Sequence, residues 1–199
     1  MNVLVPFPTD IDLLNDVVEF SLSAVKDFLK MTGDRSVWNT PERWLQSEIA
    51  RNIWEKHRLL AWLELGVDEL LKMLKAEADP PLSLQGERKS GSLDIGFFEP
   101  QTPVTDSDFR GIVEIKTRVI RGTEFTDDAA RIRDIGGLSS PLCGIVAGMF
   151  IGDSNRTKER VISGLRAQPD DVVCRPANEP DAFGTAYGAV GALVQRSSP

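Results

Sequence analysis

The run Cys143-Gly144-Ile145-Val146-Ala147-Gly148-Met149-Phe150-Ile151 has almost no polar face. A strand of that kind is buried on both sides, so it predicts the centre of a sheet sandwiched between helices. The helices are legible too. Ile11, Leu14, Val18, Leu22, Val25 and Leu29 recur at steps of three and four, the spacing of an amphipathic helix. Over residues 40–54, Leu45, Ile49 and Ile53 form a second stripe, behind Thr40 as N-cap and Pro41 as first helical residue. Residues 67–78 carry Leu70, Leu71 and Leu74 and stop at Pro80-Pro81. Residues 127–138 present Phe125, Ala129, Ile132 and Ile135 to a core, with Arg131 and Arg133 off that stripe, and residues 156–168 present Val161, Ile162 and Leu165. Short strands are predicted at 82–89, 171–175 and 184–195. The fold class is therefore α/β.

Two further apolar runs carry acids. In Gly91-Ser92-Leu93-Asp94-Ile95-Gly96-Phe97-Phe98, alternation puts Asp94 on the face of Ser92 and Gly96. Gly111-Ile112-Val113-Glu114-Ile115-Lys116-Thr117 is rich in β-branched residues and reads as a strand with Glu114 and Lys116 on one face. The connecting residues 99–108 hold two prolines and small polar side chains, which suit a loop. The two strands should pair as an antiparallel hairpin that sets Asp94 beside Glu114. Carboxylates so placed repel unless a cation lies between them. Mg²⁺ or Mn²⁺ fits, taking one or two carboxylates and filling its shell with water and phosphate. Such an ion acidifies bound water and offsets charge in phosphodiester cleavage, and a lysine nearby can hold water or a phosphate oxygen. The plainer reading of the same residues is a solvated hairpin with surface ion pairs.

With Asp94, then Glu114-Ile115-Lys116, the chain resembles the PD-(D/E)xK superfamily of restriction-endonuclease-like nucleases, although Leu93 stands where that pattern has proline. The resemblance covers roughly residues 40–151. It implies a core of helix, three-stranded meander, helix and strand, here with extra N-terminal helices and added C-terminal strands. It also implies a metal held by Asp94, Glu114, the carbonyl of Ile115 and an acid on the preceding helix. Glu48 is assigned that last role, with Glu42 and Glu55 competing for it. Asp94, Glu114, Lys116 and Glu48 are then the expected catalytic set. Arg88, Lys89, Arg118, Arg121 and Arg131 are the expected nucleic-acid contacts, with DNA ahead of RNA as substrate.

Charge tempers that expectation. The net charge is −7, which opposes binding to nucleic acid. Residues 1–79 hold 14 acids and 9 bases, residues 80–134 hold 10 and 8, and residues 135–199 hold 6 and 6, so the acidity lies mostly away from the motif. Modest affinity for naked DNA, or help from a protein partner, follows. Two cysteines build neither a disulfide framework nor a zinc cluster. No apolar run is long enough to span a bilayer, and the first residues lack the shape of a signal peptide, so a cytoplasmic setting is expected. A single domain over 1–199 is expected: a helical extension over 1–39, a core over 40–151, and a helix with strands over 152–199. A homo-oligomer stays open. The lone His57 is expected at a helix end, solvated or capping, and the four tryptophans in the packing of the helical layer. The alternatives to a nuclease are a nuclease-like fold serving as a binding or assembly module, and an unrelated α/β domain.

Overall fold

The computed structural model describes residues 8–33, 36–75, 91–100, 108–136 and 142–195. Among them lie five α-helices and one mixed sheet of six strands. Helices α1 (Asp10–Thr32) and α2 (Glu42–His57) precede strand β1 (Leu60–Gly66) and helix α3 (Val67–Lys75). Strands β2 (Ser92–Phe98) and β3 (Phe109–Val119), helix α4 (Thr126–Gly136) and strand β4 (Cys143–Ile151) follow. The chain closes with helix α5 (Ser154–Leu165) and strands β5 (Val172–Pro176) and β6 (Tyr187–Gln195). The sheet order is β1-β2-β3-β4-β6-β5. Strands β1, β2 and β3 form an antiparallel meander, β3 and β4 are parallel across α4, and β6 pairs antiparallel with both β4 and β5.

The apolar strand lies in the interior of the sheet, and its two faces serve different layers. Ile145, Ala147 and Met149 belong to one core cluster with Leu14 and Val18 of α1 and Leu45, Ile49 and Ile53 of α2. Val146 and Phe150 meet the opposite cluster, with Ile132 of α4 and Val161 of α5. Both helix stripes read from the sequence are buried at their centres, although Ile11 at the start of α1 stays exposed. Helix α1 is no appendage. The Trp44 indole donates to the Ala24 carbonyl at 2.8 Å, and Asp16 takes both Lys56 Nζ and His57 Nε2 at 2.6 Å, tying α1 to α2. His57 is thus a half-buried partner of Asp16 rather than a solvated end residue. Among the described residues no helix is long and apolar enough to cross a membrane.

Several expectations need correction. Pro41, not Thr40, is the N-cap of α2; Thr40 is buried and its hydroxyl has no partner. The first meander strand is Leu60–Gly66, a segment without regular alternation in which Glu64 takes a positive φ of 54°. The strand expected at 82–89 lies outside the described residues, as do Arg88 and Lys89. Trp62 belongs to the edge strand β1, not to the helical layer, and packs on Phe98.

One glycine sets how closely β3 and β4 approach. A Cβ on Gly148 would stand 2.5 Å from the Lys116 carbonyl oxygen and 2.7 Å from Val119 Cγ2. Backbone cannot yield there without moving the parallel pair. Gly148→Ala should lower unfolding free energy by roughly 1–3 kcal/mol, the usual cost of overpacking. A urea melt with an unchanged midpoint would contradict this packing.

Candidate active site

Alternation along β3 sends Val113 and Ile115 into the α1–α2 layer, while Ile112 joins the α4 layer. Glu114 and Lys116 therefore share the face that α4 covers. Helix α4 is anchored there by Ala129, Ile132 and Ile135, all fully buried. Asp128 lies four and seven residues before Ile132 and Ile135, on the same stripe, and is 8% exposed. Arg131 follows Asp128 by one turn, and the two side chains reach back to β3. Arg131 Nη2 stands 2.5 Å from Glu114 Oε1 and 3.5 Å from Asp128 Oδ1. Lys116 Nζ stands 2.7 Å from Asp128 Oδ2.

Asp94 arrives from the other side. The β2–β3 ladder runs from Phe98 back to the pair Ile95–Val113. One step further, the Asp94 carboxylate takes over from the strand backbone: its Oδ2 accepts the Ile115 N–H at 2.5 Å. The N–H and C=O of one strand residue point to the same neighbour. The Ile115 carbonyl therefore faces the same gap. The Asp94 and Glu114 carboxyls lie near enough for each to shift the other.

The helical acid that meets this gap is Glu42. Its carboxyl lies near the Thr117 N–H and feels the charges of Asp94, Lys116 and Asp128. Glu48 instead pairs with Arg51 at 2.5 Å, and Glu55 holds the same guanidinium at 2.9 Å. The helix period explains the exchange. Glu42, Gln46, Ile49 and Ile53 follow steps of four, three and four on the face turned to the sheet, and Gln46, Ile49 and Ile53 are buried. Glu48 sits off that stripe. The same test would have found Asp128 in the sequence.

Of the expected cationic contacts, Arg131 is in the cluster. Arg118 and Arg121 are exposed, beyond Lys116 on β3 and in the turn that follows. Arg133 serves the fold, donating to the carbonyls of Val194 and Leu165 at 3.3 and 3.4 Å.

The electrostatics follow from burial of like charges. Desolvation, and then the neighbouring Asp94, push the Glu114 carboxyl up to about 8, against the opposing pull of Arg131. Burial also raises Asp94, opposed by the Ile115 N–H and Lys116, and burial together with Asp94 raises Glu42. Burial works against the Lys116 ammonium, but Asp128, Asp94 and Glu114 outweigh it and the net shift is upward. Two buried carboxylates, Glu114 and Asp128, and the half-buried Asp94 and Glu42 thus face two cations, Lys116 and Arg131.

Among the described residues no three His, Cys, Asp or Glu side chains converge as a ready metal cage. Mg²⁺ does not require one, since it binds through one or two carboxylates and keeps water and phosphate as its other ligands. The donors at the gap are hard oxygens on Asp94, Glu114 and the Ile115 carbonyl, and the carboxylates outnumber their cations. Both features fit a hard divalent ion. Comparison with family models, with curated proteins and with solved structures finds no match to this chain.

A carboxyl raised in the folded chain favours the fold most below its ordinary value of 4.5, and that contribution is lost as pH climbs towards about 8. In chelator-treated protein the wild-type melting temperature should therefore fall across that window relative to Glu114→Gln. Parallel pH profiles for the two proteins would mean that Arg131 fully offsets the burial of Glu114.

Proposed function

We propose that this chain is a Mg²⁺- or Mn²⁺-dependent nuclease of the PD-(D/E)xK type, acting on DNA ahead of RNA. The observation that carries the reading is the meeting of Asp94, Glu114 and Lys116 at one gap in the sheet, which the Ile115 carbonyl also faces. The element order α2, then the β1-β2-β3 meander, then α4 and β4 supports it, since it follows the family core. Helix α3 is an insertion into that meander.

Asp94, Glu114 and the Ile115 carbonyl would hold the ion, with Glu42 in the place first given to Glu48. The cation supplies a more acidic water and a counter-charge for the phosphate. Lys116, held by Asp128, orients the attacking water or a non-bridging phosphate oxygen. Water oxygen bonds to phosphorus, the bond to the leaving oxygen breaks, and that oxygen takes up a proton. The products are a phosphate end and a hydroxyl end. Of the cations expected to meet nucleic acid, Arg118, Arg121 and Arg131 lie among the described residues, and the net charge of −7 calls for low salt or a protein partner.

A binding or assembly module is the second reading. The ion pairs Arg131–Glu114 and Lys116–Asp128 favour it, because they already occupy a carboxylate and the lysine that catalysis would need.

Plasmid and single-stranded DNA, incubated at low salt with Mg²⁺, Mn²⁺ or chelator, separate the two. Asp94→Asn and Lys116→Ala should each reduce metal-dependent cleavage by about 10²–10³-fold. Glu42→Gln should cost more activity than Glu48→Gln. Wild-type protein that binds metal but cleaves no nucleic acid would sink the enzyme and leave the module.

A further inference from the structure

The Arg131–Glu114 pair is unusual in how it is made. The Glu114 side chain is 2% exposed, and Arg131 reaches it through Nη2. The Arg131 Nε is buried without an acceptor, so the guanidinium is not held as a two-pronged fork. Its Nη1 lies beneath Gly91, where even a Cβ would come within 3.6 Å. Asp128, one turn back on α4, offers a second carboxylate at 3.5 Å. Arg131 is therefore packed against the innermost acid by one strong contact, with an alternative partner beside it.

We infer that Arg131 stands where a divalent cation would engage Glu114, so that metal and arginine compete for this carboxylate and metal entry frees the guanidinium to meet a substrate phosphate. The inference rests on the metal-dependent reading given above. Charge balance supports the exchange. With Glu42 counted, four carboxylates meet two side-chain cations, an excess of negative charge that a divalent ion would offset. A guanidinium kept on Glu114 beside the ion would add like-charge repulsion at a buried site. Asp128 Oδ1, already 3.5 Å from Nη2, gives the released Arg131 a nearby anchor.

The test is Mn²⁺ titration by calorimetry on metal-free protein, without nucleic acid, for wild type, Arg131→Gln, Arg131→Lys and Glu114→Gln. Arg131→Gln should bind Mn²⁺ roughly tenfold more tightly than wild type. Arg131→Lys, which keeps the charge, should stay near wild type, and Glu114→Gln should lose most of the affinity. Equal affinity in wild type and Arg131→Gln overturns the competition while leaving the metal site standing. No Mn²⁺ binding by either overturns both the competition and the metal-dependent reading. Should Arg131→Gln fail to fold, the wild type still decides. Its Arg131 Nε–H resonance, assigned by its loss in Arg131→Lys, should shift on adding Mg²⁺, and a resonance that stays put overturns the exchange.

Discussion

Where β2 and β3 part company, a side-chain carboxylate does the work of a main-chain carbonyl, and the site depends on that substitution. Asp94 accepts the Ile115 N–H one step beyond the last paired residues, Ile95 and Val113. A buried peptide N–H left without an acceptor would be costly. Asp94 removes that cost while letting the strands separate. Glu114 and Lys116 reach the resulting gap from one face of β3, and Glu42 from the start of α2. A conventional hairpin would have closed it with backbone hydrogen bonds.

The gap then has an electrostatic problem that the fold solves only in part. Carboxylates brought out of water repel one another, and each needs a counter-charge or a proton. Helix α4 supplies the remedy through Arg131, and Asp128 in turn fixes Lys116. The carboxylates still outnumber their cations, and the proposed metal site rests on that excess. It also explains why the innermost acid, Glu114, is the one displaced furthest from its ordinary range, since it is the most buried and lies beside Asp94.

Much of this was visible along the chain, and the failures are instructive. Strong periodicity survived intact: Ala129, Ile132 and Ile135 are buried together on α4, and Cys143–Ile151 is an interior strand. Strand β1 was illegible because an edge strand has only one neighbour and little burial to impose a pattern. Its Leu, Ala and Glu residues favour helix as readily as strand. Glu48 was chosen for bordering an apolar stripe, whereas Glu42 lies on it. The core stripe of α2 continues past its apolar residues and ends on an acid at the sheet. Asp128 escaped notice for a like reason: the buried face of α4 was read from its apolar residues alone, and the acid on that face was not counted with them.

The residues alone determined which segments must be covered on both sides, and that Glu114 and Lys116 share a face, because a strand's period of two allows nothing else. They also determined the order of helices and strands over most of the chain. Only the tertiary structure decided which helical acid meets Asp94, where β2 leaves β3, and which cations stand among the carboxylates. Those outcomes depend on how α2 and α4 lie across the sheet, and helix placement is set by the summed packing of both layers rather than by any local spacing.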